Sequence, residues 1–212
     1  MRNRTTQKHR DWWEKRKIDW NEAYLKTWQH PHRYAISAVL SEMDWFSLME
    51  IGCGAGANLV NLVHSFPGRQ LGGVDVNQDA IDMANKALTN AHLQVGRGDD
   101  LMISDDATDV VLTDMYLIYV APKDIKKHLT EILRIARTYV VFCEFHSSSW
   151  WERFKIRWQS GYHVHDYVKL LEEMGFYNVQ RYRLTPELWP GGGYQEKVGY
   201  IITAKVPKIK NI

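Results

Sequence analysis

Cysteine is scarce, with only Cys53 and Cys143 among 212 residues. That excludes a disulfide-stapled scaffold and makes a reducing compartment the default. Charge of one sign is equally scarce. The 27 Lys and Arg residues oppose 25 Asp and Glu, a formal +2, so no strong overall field calls for nucleic acid or membrane. No apolar run approaches the roughly 18 residues of a membrane span. The charged, Trp-rich opening does not resemble a signal peptide. A cytoplasmic protein with no membrane partner is expected. Internal repeats, low-complexity stretches and Pro/Gly-rich linkers are also missing. One domain over residues 1–212 is expected, large enough for a two-sided core.

Two features are abundant. Basic residues gather at the start, where Arg2, Arg4, Lys8, Arg10, Lys15, Arg16 and Lys17 outnumber Asp11 and Glu14. A solvated run is the ordinary reading of such a terminus and a phosphate contact the alternative. Aromatics recur every four positions at Trp12, Trp20, Tyr24 and Trp28, with Arg16 in the same series. This spacing predicts one helix over 6–29 with a single stripe, ended near His30-Pro31, and a second over 32–43. Residues 1–43 are expected to form a Trp-rich lid or cap.

The periodicity then shifts. Strands are predicted at 47–51, 71–76, 92–95, 109–113 and 138–142. Helices are predicted at 58–65, 79–88, 122–135 and 165–174. Two final strands, 177–184 and 197–204, follow each other without a helix. Alternating strands and helices imply an α/β, Rossmann-like sheet of about seven strands. It should be mostly parallel with an antiparallel C-terminal end, and carry helices on both faces.

The chemistry concentrates in Glu50-Ile51-Gly52-Cys53-Gly54-Ala55-Gly56, between a predicted strand and a helix. Glycines there permit a tight turn and a close ligand approach. With Ala57 the string also fits a dinucleotide fingerprint, so the glycines leave the ligand open. Glu50 discriminates. A carboxylate at the strand end repels a pyrophosphate and attracts an ammonium. S-adenosylmethionine carries an ammonium, a carboxylate and a sulfonium, and has no phosphate. Asp75, at the end of the next strand, suits two ribose hydroxyls in either kind of cofactor. Val76 would face adenine.

The string from Glu50 to Gly56, followed by Gly73-Val74-Asp75-Val76-Asn77 and Ala80-Ile81-Asp82-Met83-Ala84, resembles the class I S-adenosylmethionine-dependent methyltransferases. The resemblance runs from about Leu48 to Ala204. It implies S-adenosylmethionine as cofactor, S-adenosylhomocysteine as product, and cofactor contacts at Glu50, Gly52, Cys53, Gly54, Asp75 and Val76. The family's adenine-reading acid corresponds to Asp99 or Asp100, beside Leu101, although Arg97 falls at the usual position when counted back from Asp109. Thr113 and Met115 would line the methyl-transfer end. Where relatives carry His, this chain has Tyr119.

Candidates for the chemistry itself follow the fourth and fifth strands: His146 or Glu144 as a base, with Tyr119 positioning the acceptor. His163-x-His165-Asp166 and His30-x-His32 lack further ligands at a metal-binding spacing, so no metal is expected. The leading expectation is methyl transfer to an O or N atom of a small molecule of sugar or natural-product type. A protein or RNA methyltransferase, a non-catalytic cofactor-binding subunit and a nicotinamide oxidoreductase are the competing readings. Nucleic acid is disfavoured as a partner, and a homodimer is compatible with the sequence.

Overall fold

The computed structural model describes residues 5–208. Arg2 and Arg4, part of the basic run, lie outside them. Seven strands form one sheet in the order β3-β2-β1-β4-β5-β7-β6. The parallel block comprises β1 (Ser47–Ile51), β2 (Gln70–Asp75), β3 (His92–Val95), β4 (Thr108–Asp114) and β5 (Ala136–Phe145). β7 (Gly199–Lys205) runs antiparallel to β5 and to β6 (Tyr177–Arg183). The antiparallel pair expected at the C-terminal end is therefore present, with β7 inserted beside β5, but a short helix (Tyr194–Val198) lies between its two strands, where none was expected.

Each face of the sheet is covered by helices. Val111, Val140, Phe142 and Ile202 pack against Leu129 and Ile132 of α6 (Ile125–Ile135) and Leu171 of α8 (Tyr167–Glu173). Val110, Leu112 and Val141 pack instead against Leu40 of α3 (Pro31–Ser41), Leu59 and Leu62 of α4 (Ala57–Ser65), and Ile81 of α5 (Gln78–Ala87). Neighbouring strand residues point to opposite faces, which is why 110 and 112 part from 111. Pro31 opens α3 at its first turn, where its missing N–H costs nothing; it starts a helix and does not merely end one.

The predicted single helix over 6–29 is not formed. α1 (Thr6–Glu14) stops, α2 (Trp20–Ala23) restarts after a new cap at Asp19, and Leu25–Gln29 is a 3-10 turn. The cause is a partner distant in sequence. Asn77 Nδ2 donates to the carbonyls of Trp13, Glu14 and Arg16 at 2.7, 3.2 and 2.9 Å, satisfying the end of α1 there. The aromatic stripe is split accordingly: Trp20 is buried while Trp12 lies at the surface. Three of the basic residues are engaged within the protein. Arg10 meets Asp99 (3.5 Å), Lys17 pairs with Asp79, and Arg16 lies over the rings of Trp12 and Trp13.

Two helices flank the C-terminal strands, α7 (Trp150–Ser160) and α9 (Tyr194–Val198). Cys53 and Cys143 are buried free thiols. Among the described residues no helix is long and apolar enough to cross a membrane.

Candidate active site

At the carboxyl edge of β1, β2 and β4 the structure has a cavity of about 470 Å³. Such edges, where strand order reverses, are where open α/β sheets bind ligands. The reversal here falls between β1 and β4.

The glycine turn forms its floor. Gly52, Gly54 and Gly56 all have positive φ (80°, 53° and 80°), a region that L side chains rarely adopt. A Cβ on Gly52 would sit 2.8 Å from the Tyr116 ring, and one on Gly98 2.2 Å from its hydroxyl. Tyr116 is thus wedged between the glycine turn after β1 and the loop that joins β3 to β4, its hydroxyl 2.7 Å from His128 Nδ1. A Cβ on Gly54 would meet nothing within 4 Å, and Gly54 lines the cavity. Space is left above its backbone.

Two carboxylates define the polar end. Asp75 accepts from the Gly54 N–H through Oδ2 and from the Asn77 N–H through Oδ1, both at 2.9 Å. Burial raises its pKa against those hydrogen bonds. Glu50 is buried, and its Oε1 accepts from Asn58 Nδ2 at 2.6 Å. Its Oε2 has no partner among the described residues. Burial pushes the Glu50 pKa up to about 8.

A third acid, Asp114, joins the N-terminal segment to the sheet. Its Oδ2 lies 3.0 Å from His32 Nε2, 3.2 Å from Arg33 Nη1 and 3.0 Å from Asn58 Nδ2. Burial pushes its pKa up, but His32 and Arg33 outweigh this and hold it well below the usual carboxylate range. His32 Nδ1 is in turn in hydrogen-bond contact with His30 Nδ1. Both imidazoles lie against Trp189, with ring centroids 5.2 Å (His30) and 4.0 Å (His32) away. Asp114, His32, His30 and Trp189 all line the cavity.

Of the residues singled out from sequence, Glu50, Gly52, Cys53, Gly54, Asp75, Val76, Asp99, Met115 and Tyr119 line this cavity. Asp99 is bracketed by Arg10, Arg97 and Lys127. Burial raises its pKa, but Arg97 and then Lys127 outweigh this and hold its carboxyl well below the usual range. Five others do not line the cavity. Asp100 is exposed, its N–H donating to the Arg97 carbonyl. Leu101 packs into the core on the α6 face. Thr113 is fully buried within β4.

Glu144 and His146 differ from expectation for one reason. β5 continues to Phe145, three residues beyond its predicted end, so side-chain alternation still governs. Phe145 takes the cavity side, and Glu144 and His146 point to the other. Glu144 accepts from the N–H groups of Tyr116 (3.0 Å), Leu117 (2.9 Å) and Ile118 (3.3 Å). His146 accepts from the Tyr167 N–H at 3.2 Å and meets Arg181 through Nε2. The i, i+2 spacing of His30 and His32 is a signal visible in the sequence, but as a spacing it points to a metal motif and not to the acid that holds the pair. Among the described residues no group of three or more His, Cys, Asp or Glu could hold a metal.

The comparisons agree with this architecture. Residues 48–138 match the family model of a methyltransferase domain. An uncharacterized protein of Rickettsia prowazekii (strain Madrid E) is 34% identical over 63 residues, which is 30% of this chain. The match covers only 25% of that relative's length. Among solved structures, the geranyl diphosphate C-methyltransferase of Streptomyces coelicolor A3(2), in complex with S-adenosyl-L-homocysteine, superposes with a TM-score of 0.64 at 17% identity, covering 82% of this chain and 79% of that one. The magnesium protoporphyrin IX methyltransferase of Synechocystis PCC 6803 gives 0.64 at 12% identity, covering 92% and 97%. At such identities the likeness is one of fold. Residues 48–138, which hold the glycine turn, the second strand and the loop after β4, match a methyltransferase domain, and the chain has the fold of the class I S-adenosylmethionine-dependent methyltransferases.

Proposed function

We propose that the protein transfers a methyl group from S-adenosylmethionine to an oxygen or nitrogen atom of a small molecule held in the cavity. The observation that carries this reading is the Glu50 carboxylate. A buried oxygen without a partner, beside a glycine turn open to the cavity, suits an ammonium-bearing ligand and disfavours a pyrophosphate.

The residues present fit that cofactor. Glu50 holds the ammonium, and the backbone of Gly52, Cys53 and Gly54 lies along the chain that carries it. Asp75 accepts from the ribose hydroxyls, Val76 lies against adenine, and Asp99 accepts from its amino group. Met115 lies at the methyl-transfer end. The bound cofactor supplies a methyl carbon already activated by the sulfonium, so the protein's task is alignment and exclusion of water. Residues 6–33 serve as a cap. His9, Trp13, Trp20 and Tyr24 close the cavity with aromatic surface, which supports a small, partly apolar acceptor over a macromolecular one.

The role first assigned to Glu144 or His146 passes to His30. With the proton of His32 on Nε2 facing Asp114, His32 Nδ1 accepts from His30 Nδ1–H. That leaves His30 Nε2 with a lone pair for the acceptor's proton. Burial first, then His32 and Arg33, lowers the His30 pKa, so the ring is neutral at pH 7. Tyr119 cannot serve as a base, because burial drives its pKa well above the ordinary phenol value. It acts as a donor that orients the acceptor.

Calorimetric titration with S-adenosylmethionine, S-adenosylhomocysteine and NADH tests the assignment. Micromolar binding of the two sulfur ligands alone is expected, whereas binding of NADH alone would overturn it. Glu50 must be ionised to pair with an ammonium, yet below about pH 8 it carries a proton in the free protein. Binding at pH 7 should therefore release about one proton, read from calorimetry in buffers of different ionisation enthalpy. Affinity should strengthen as pH rises towards 8. Glu50→Gln should release none. His30→Ala should lower methyl transfer about a hundredfold without weakening cofactor binding, and His146→Ala should leave the rate near wild type. The reverse pattern in a single-turnover assay would return the base to β5.

A further inference from the structure

The helix α7 carries an aromatic face that the site does not use. Trp150, Trp151, Phe154 and Trp158 are 68%, 58%, 53% and 56% exposed, among the most exposed large apolar side chains described. At 3.6 residues per turn they fall within an arc of about 100°. Ile156, the buried residue of α7, lies roughly opposite the centre of that arc. It packs in a cluster with Ile118, Phe145 and Val164. The helix is thus fastened by its inner side with the aromatics aimed outward. Its ends are fixed too, by the Ser149 cap and by Gly161 at φ 82°. Trp151 stacks on Phe154 and meets Trp150 edge-on, so these three rings form one continuous patch, with Trp158 about one turn further along the same face.

Charge borders this patch on both sides. On the same wheel Lys155 flanks one edge, and Arg153 and Arg157 flank the other. The acid in the helix, Glu152, lies away from the aromatics and accepts from the Ser147 hydroxyl at 2.6 Å. An exposed apolar patch of this kind marks an interaction site. Its composition favours one kind of partner. Indole and phenyl rings settle at the boundary of a bilayer. Lys and Arg beside them meet lipid phosphates.

We propose that α7 docks the protein onto an anionic phospholipid surface, with its four aromatics entering the headgroup boundary and its flanking cations on the phosphates. The weak overall charge does not oppose this, because the basic residues that matter are local to one helix. If the methyltransferase reading holds, docking also sets the acceptor class. Ile118 and Phe145, which pack around Ile156, line the cavity, as does Tyr162 just past the end of α7. The acceptor end would then face the lipid, and the acceptor would be an amphipathic molecule drawn from it.

Co-sedimentation with phosphatidylcholine vesicles, with and without phosphatidylglycerol, tests the docking, with tryptophan emission read in parallel. Wild-type protein should partition onto the anionic vesicles with a blue shift, and added salt should weaken this. A Trp150→Ala, Phe154→Ala, Trp158→Ala triple variant, and separately a Lys155→Glu, Arg157→Glu variant, should each lose about tenfold or more in partitioning. Both should bind S-adenosylmethionine as wild type does, which shows that they are folded. Failure of wild type to bind anionic vesicles would overturn the proposal, as would binding that survives loss of the aromatics. A concentration-dependent dimer that the triple variant abolishes, without vesicle binding, would assign the face to a second copy of the chain. Vesicle binding is read without cofactor, so it stands or falls apart from the methyl-transfer reading.

Discussion

Asp75→Ala should weaken S-adenosylmethionine binding about a thousandfold while the protein remains folded. Two ribose hydroxyls donating to one carboxylate are worth roughly 1.5–3 kcal/mol each, and about 1.4 kcal/mol is a factor of ten in affinity. The variant also removes the acceptor shared by the Gly54 and Asn77 N–H groups, which loosens the turn that shapes the floor. Asp75→Asn keeps one acceptor oxygen and should lose less. Calorimetry on all three proteins gives the order. An Asp75→Ala affinity within a few-fold of wild type would remove the ribose from this strand end.

The largest effect on stability should come from Glu144→Ala. The Glu144 side chain is fully buried, and its two oxygens serve three consecutive N–H groups at the start of the turn Leu117–Tyr119. Leaving buried donors unpaired costs about 1–3 kcal/mol apiece. A total near 4 kcal/mol corresponds to a fall in Tm of about 10 °C for a chain of this size. Glu144→Gln retains one acceptor oxygen and should fall by less. If Glu144 were instead a base, Glu144→Ala would melt near wild type and lose only turnover. Thermal denaturation beside the kinetics separates the two.

Much of the sheet was legible because its signals are local. β1 and β3 have the predicted boundaries, since a short strand run beside turn residues needs no distant partner to define it. The glycine turn was legible for the same reason: three positive φ values demand glycine wherever the chain goes next. The N-terminal segment was not, because regular aromatic spacing favours a continuous helix, and what breaks it is the side chain of Asn77, more than sixty residues away. The chemistry after β5 was misplaced by the length of one strand. A strand ending at Phe142 would have freed Glu144 and His146 to turn towards the site; one reaching Phe145 fixes which face each takes. His30 and His32 were visible as a pair, but their connection to Asp114 depends on α3 lying across β4, which no local pattern encodes.

Asn77 ties together parts of the chain that are distant in sequence. Its backbone N–H donates to Asp75, its Oδ1 accepts from the Ala80 N–H to start α5, and its Nδ2 grips three carbonyls at the end of α1. One residue therefore spans the strand end assigned to the cofactor and the segment that covers it. The two are coupled through it: the geometry of the strand end and the seating of the N-terminal segment are set by the same asparagine, and a substitution at Asn77 disturbs both at once.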